Sequence, residues 1–198
     1  MKSAVNNPSY DTPRSRHAVA IGMWLFLAAL LMLFFSGMLL YVLLRLHVYG
    51  NAAPGPVNLP AALWFSTAAL IAGSFTIHRA VVNVRRERIS RFRIQLLITL
   101  ALALVFLGIQ FPALLKILAI HRSMGTGGLR MYGLVFCLIS LHAAHVIGGV
   151  IALAVVAFKA MKDRYDHENY LGVKYAAAYW HFLDIIWLVM FGMFLVTG

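Results

Sequence analysis

The sequence predicts an all-α integral membrane protein, a single bundle of five transmembrane helices with a cytoplasmic N-terminus and an extracytoplasmic C-terminus. Three observations lead there. Of the 198 residues, 62% are hydrophobic and 12% charged, and the mean hydropathy is +0.84, too apolar for a soluble domain of ordinary makeup. The apolar residues gather into five runs, each long enough at about 1.5 Å per helical residue to cross a hydrocarbon core of about 30 Å. The cations fall between these runs and mostly on one side. Lys2, Arg14, Arg16, the six arginines from Arg79 to Arg93, and Lys159, Lys162, Arg164 and Lys174 share the side of the N-terminus, opposite Arg45, Lys116, Arg122 and Arg130. This is the positive-inside pattern.

Residues 1–17 are polar and carry two prolines, so they are expected to form a disordered arm ahead of the membrane domain, 18–198. The first span, about 18–44, is far longer than the apolar core of a signal peptide and lacks a small-residue cleavage pattern after it; it is expected to be retained. A loop rich in Gly, Pro and Asn, Gly50 to Pro60, precedes the second span, about 61–82. Arg85 to Arg93 reads as a basic turn too polar for the bilayer. The third span, about 94–120, contains Pro112, a possible kink. A glycine-rich connector, Ser123 to Gly128, leads to the fourth span, about 131–158, and a charged connector, Lys159 to Glu168, to the fifth, about 173–197.

Composition narrows the function. The net charge of +11 is explained by loops facing an anionic leaflet, and no basic stretch is interleaved with aromatics as in a nucleic-acid binder. The one cysteine, Cys137, rules out a disulfide or thiolate cluster within the chain and reads as a small buried hydrophobe. No HExxH, GxSxG or phosphate-cradling GKS/GKT stretch is present.

The informative residues are polar groups at membrane depth: His142 and His145 in the fourth span, His181 and Asp184 in the fifth. A carboxylate in hydrocarbon is costly unless paired, bonded or protonated. His181 and Asp184 lie three apart on one helical face, with Ala177 and Leu188 in the same stripe and Trp180 and Trp187 beside it. That face is expected to look into the bundle. His142 and His145 share a face beside Ser140, Ala144, Gly148 and Ala152, a small-residue stripe that lets a neighbouring helix come close. Three readings stay open on spacing alone: haem ligation by histidines on facing helices, a proton relay, or hydrogen bonding within the bundle with no ligand. His78, beside Arg79 at a helix end, suits a snorkelling or solvated role.

These residues carry a family resemblance. Tyr179-Trp180-His181-Phe182-Leu183-Asp184-Ile185-Ile186-Trp187 resembles the YWHFxDxxW signature of subunit III of the haem-copper respiratory oxidases. Leu141-His142-Ala143-Ala144-His145-Val146-Ile147-Gly148-Gly149 is similar to its FHGLHVxxG segment, preceded by Tyr132 and Gly133. Gly22 to Ala28, running on to Tyr41 and Arg45, matches its first shared helix, and the whole resembles the short five-helix bacterial form. Three family glutamates are replaced: Leu30 lies in the Ala29-Leu30-Leu31 triplet that stands where an SEV-like one is usual, Ala113 follows Gln110, and Lys174 opens the last helix.

The resemblance implies an accessory subunit of a cytochrome c or quinol oxidase. Such a chain is not catalytic by itself and holds no haem, copper or other metal. Haem and copper are expected in partner subunits, the large catalytic subunit I is the expected principal partner, and bound phospholipid is expected in the bacterial cytoplasmic membrane. His142, His145, Trp180, His181 and Asp184 are then structural, with His181 and Asp184 pairing within the bundle. The role of the first glutamate in oxygen entry or tuning is not carried over. The competing readings are an accessory subunit of nitric oxide reductase, a b-type cytochrome using His142, His145 and His181, and, least favoured for want of an inverted repeat and a second deep carboxylate, a transporter.

Overall fold

A computed structural model describes residues 13–49, 62–123, 129–162 and 170–197. They form five long helices: α1 (Pro13–Leu43), α2 (Ala62–Arg85), α3 (Ile89–Ser123), α4 (Leu129–Met161) and α5 (Leu171–Thr197). All five are long and apolar enough to cross a membrane. α1 continues into a π-helical segment, Leu44–Tyr49. Number and order match the sequence expectation, while several helices overrun their apolar spans, since backbone hydrogen bonding continues past the edge of the hydrocarbon. The expected arm gives up its last residues to α1, which opens on Pro13, a residue suited to the first helical position because its missing N–H needs no partner there. The loop Gly50 to Pro60, residues 124–128 of the glycine-rich connector and residues 163–168 of the charged one lie outside the described residues, as do residues 1–12.

The basic turn is shorter than the sequence suggests. Only Arg86 to Arg88 separate α2 from α3, because α2 ends in a Schellman cap. The Arg88 N–H donates to the Asn83 carbonyl at 3.0 Å and the Glu87 N–H to the Val84 carbonyl at 3.2 Å. Glu87 takes a left-handed backbone, φ 57°, in the position that usually falls to glycine, and α3 starts at once, with the Phe92 N–H on the Arg88 carbonyl at 3.0 Å. The resulting hairpin is tied by side chains: Asn83 Nδ2 donates to Gln95 Oε1 at 2.7 Å, and the Thr76 and Thr99 hydroxyls meet at 2.7 Å. Pro112 lies inside α3 and the helix runs through it to Ser123, as membrane helices allow.

The helices α2, α3, α4 and α5 pack in a ring, each against the next, and α1 lies outside it against α4 and α5. The buried core runs the length of this ring, through Phe92, Ile77, Phe106, Trp187 and Phe194. α1 contributes Leu27, Leu30, Phe34, Met38 and Tyr41 and leaves the rest of its surface outside; Trp24 is 68% exposed and Met32 71%.

Two packing expectations are corrected. The small-residue stripe on α4 does not carry the closest approach, since Ala144, Gly148 and Ala152 are exposed. That approach falls one position round the helix, at Gly149, where an added Cβ would lie 3.3 Å from Leu183 and Tyr179 and 3.4 Å from Trp180 of α5. Gly37 does the same for α1, within 2.6 Å of Leu138. Cys137, expected inside, is exposed, because α4 turns that face away from the ring.

Gly149→Val is therefore expected to lower the stability of the chain in detergent by about 1–3 kcal/mol through overpacking against three side chains. Gly22→Ala, where nothing lies within 4 Å, is expected to be neutral or to stabilise by about 0.5–1 kcal/mol. Thermal unfolding followed by helical circular dichroism separates the two.

Candidate functional site

α5 supplies the centre of the bundle. Its helical period puts Ala177, Trp180, Leu183, Asp184, Trp187 and Phe191 inward, all buried. Leu188, expected in that stripe, is 42% exposed, since the inward face is centred on the line through Trp180, Asp184 and Trp187.

Trp187 touches every other helix of the ring. Its indole N–H donates to Thr67 Oγ1 of α2 at 2.9 Å, and Thr67 donates onward to the Leu63 carbonyl at 2.7 Å. Its ring stacks on His142 of α4, centroids 5.1 Å apart at 29°, and meets Phe106 of α3 edge-on at 5.6 Å. His142 is thus enclosed by aromatic rings, with Phe34 of α1 at 6.1 Å and Phe106 at 6.3 Å. It is 0% exposed, and among the described residues neither ring nitrogen has a hydrogen-bond partner.

The other histidines are held differently. His145 also meets Phe34, at 5.5 Å, while its Nδ1 lies 2.7 Å from the Leu141 carbonyl one turn back; that bond requires the tautomer protonated at Nδ1. The His145 carbonyl in turn accepts the Tyr179 hydroxyl at 3.0 Å, joining α5 to α4. His181 faces α2, its Nδ1 2.6 Å from the Ser74 hydroxyl and its ring 6.2 Å from that of His78. Asp184 is 5% exposed. Ser74 lies beside its carboxyl as well, but among the described residues neither oxygen accepts a hydrogen bond.

The sequence-identified residues therefore form two groups rather than one centre. His142 and His145 both meet Phe34 of α1, and His181 and Asp184 both lie beside Ser74 of α2. Trp180, buried between them, has an indole N–H with no partner. Among the described residues, no three His, Cys, Asp or Glu side chains converge on one point. The partners that sequence reasoning missed are Ser74, Thr67, Phe34 and Phe106; of these only Ser74 left a trace, one helical turn before His78.

Among the described residues, grooves open between helices, three of them as follows. One of about 430 Å³ lies between α1, α4 and α5, lined by Met23, Phe26, Gly148 and Tyr179 among others. A second, about 640 Å³, lies between α3 and α4. It is apolar except for Gln110 and Ser140, whose amide and hydroxyl have no partner in the chain. A third, between α2 and α3, is basic.

Two substitutions test this reading of the centre. Trp187→Phe, which removes the indole N–H but keeps an aromatic ring, is expected to cost about 1 kcal/mol, and Trp187→Ala about 3–5 kcal/mol. Ser74→Ala strands His181 Nδ1 and is expected to cost about 1–3 kcal/mol. Unfolding of the purified chain in one detergent measures all three.

Comparison with known proteins fits this arrangement. The sequence model of the family described as cytochrome c oxidase subunit III matches residues 6–198. A probable cytochrome c oxidase subunit 3 of Nocardia farcinica is 27% identical over 199 residues, covering 96% of this chain and 97% of that one. Quinol oxidase subunit 3 of Bacillus subtilis is 25% identical over 177 residues, covering 89% and 86%. Cytochrome c oxidase subunit 3 of Corynebacterium diphtheriae is 27% identical over 202 residues, covering 96% and 97%. With the family matched along nearly its whole length, and with five helices that can each cross a membrane, the chain belongs to the cytochrome c oxidase subunit III family.

Proposed function

We propose that this chain is the non-catalytic accessory subunit III of a haem-copper terminal oxidase, docked on the catalytic subunit I in a bacterial cytoplasmic membrane with its N-terminus inside. It steadies that subunit and holds phospholipid, and haem and copper reside in the partner subunits. The match over residues 6–198 carries this reading.

The geometry supports it. Among the described residues, His142 is walled in by aromatic rings, His145 bonds a backbone carbonyl and His181 bonds Ser74, as suits helix packing. None of the three grooves is lined by His142, His145 or His181, whereas a haem held as in a b-type cytochrome needs a slot between its ligands. The face of α1 carrying Trp24, Met32 and Phe35 is exposed, as suits contact with lipid or another subunit. The apolar grooves suit acyl chains.

A tagged chain purified in mild detergent is expected to bring with it a large multi-helix subunit, and the reduced-minus-oxidised haem signal is expected to leave when that subunit is stripped away. Haem retained by the isolated 22.0 kDa chain would make it a cytochrome in its own right. Asp184→Leu is expected to weaken this assembly, and normal assembly and oxidase activity in that variant would refute a structural role for the carboxyl.

A further inference from the structure

The groove between α2 and α3 differs from the other two. It encloses about 270 Å³ and is lined by Arg79, Arg86, Arg88, Arg91 and His78, with no carboxylate. We infer that it is a binding site for a phosphate-bearing anion, with the headgroup of an anionic phospholipid as the ligand that best fits its position. This rests on the reading of the chain as a membrane subunit and adds a defined site to it, across the bundle from the helix, α1, that packs on α4 and α5.

The cations are placed by the fold and not merely scattered along a loop. The Schellman cap at Glu87 turns the chain in three residues and sets Arg86 and Arg88 on either side of the bend. The first turn of α3 then adds Arg91. Arg79 comes from α2, two helical turns before the cap, with its guanidinium held over the Phe75 ring at 4.7 Å. The Asn83–Gln95 bond fixes the spacing of the two helices beneath them.

Gathering four guanidinium groups around one cleft is unfavourable through mutual repulsion, and no acidic residue lines the cleft. A phosphate offsets the repulsion directly, because guanidinium groups bind its oxygens in pairs. The first turn of α3 contains no acidic residue, so its free N–H groups and the positive end of its dipole add to the same field.

The surroundings favour a lipid as the source. Phe75 forms an apolar wall of the groove, and Ile71 and Phe75 on α2 and Ile94 and Ile98 on α3 are exposed along the helices that leave it. A headgroup seated in the groove thus has a bare hydrocarbon track for its chains. Basic pockets between membrane helices are suited to such headgroups.

The test uses the full chain in mild detergent, with bound lipid counted by native mass spectrometry after titration with phosphatidylglycerol or phosphatidylcholine. The native chain is expected to prefer phosphatidylglycerol, and the Arg86→Gln/Arg91→Gln variant to lose about tenfold of that preference. The Arg85→Gln/Lys159→Gln variant removes equal charge outside the groove and is expected to keep it. Arg86→Lys/Arg91→Lys, which retains the charge but not the paired bonds, is expected to fall between the native chain and the glutamine variant and shows that changes at these positions leave the fold intact. Displacement of the lipid by millimolar inorganic phosphate assigns the site to phosphate as such; binding that resists it assigns the site to a lipid. An equal loss in both glutamine variants, or no anionic preference in the native chain, overturns the site. Either result leaves docking to the catalytic subunit standing, since co-purification is read separately.

Discussion

The bundle depends on what happens around one indole. Trp187 is the point where α2, α3, α4 and α5 meet: a hydrogen bond to Thr67, an edge contact with Phe106 and a stacked contact with His142. In a bilayer, helices gain little by hiding apolar surface from one another, because lipid tails are just as apolar. Their arrangement is set instead by shape and by the few hydrogen bonds that would otherwise go unmade. Trp187 supplies both, with a large rigid ring and a single donor whose acceptor stands on a different helix. Phe34 extends the same cluster to α1 through the two α4 histidines.

Polar residues at membrane depth are thereby sorted into two kinds. Ser74, Thr67, Thr76, Thr99, Tyr179 and His181 make bonds, several of them between helices, and act as fasteners. His142, Gln110, Ser140, the Trp180 indole and Asp184 are enclosed with atoms that bond nothing among the described residues. Burying such groups costs free energy, so a monomer in which they stay unmatched is less stable than its packing alone suggests. A subunit that functions inside a larger membrane complex tolerates that deficit, because neighbouring chains and lipid contribute to the final balance.

Much of the fold was legible in the sequence for a simple reason. A membrane span is announced by length and by the exclusion of charge, and both survive without any knowledge of packing. The inward placement of Asp184, Trp180 and Trp187 followed from their spacing. What spacing could not supply was rotation by a fraction of a turn, which decides that Leu188 faces out, that Gly149 and not the Ala144–Gly148–Ala152 stripe makes the close approach, and that Cys137 is exposed. Those outcomes depend on which helices are neighbours, and in lipid both sides of a helix are apolar, so hydrophobic periodicity says little about which side meets protein. The short turn at Glu87 was hidden for a different reason: a glutamate there does not advertise the left-handed backbone that a glycine would.

The placement of α1 bears on how the chain is made. This helix is synthesised before α4 and α5, yet Phe34 and Gly37 pack on residues of α4, near His142 and Leu138, roughly a hundred residues later. At about 5–20 residues per second, α1 waits some 5–20 s in the bilayer with its inner face uncovered, while α2 and α3, joined by a three-residue turn, can pair as soon as they emerge. Insertion of the nascent chain is therefore out of step with its final packing. α1 is made ahead of α2 and α3, yet its packing surface is completed only when α4 and α5 arrive.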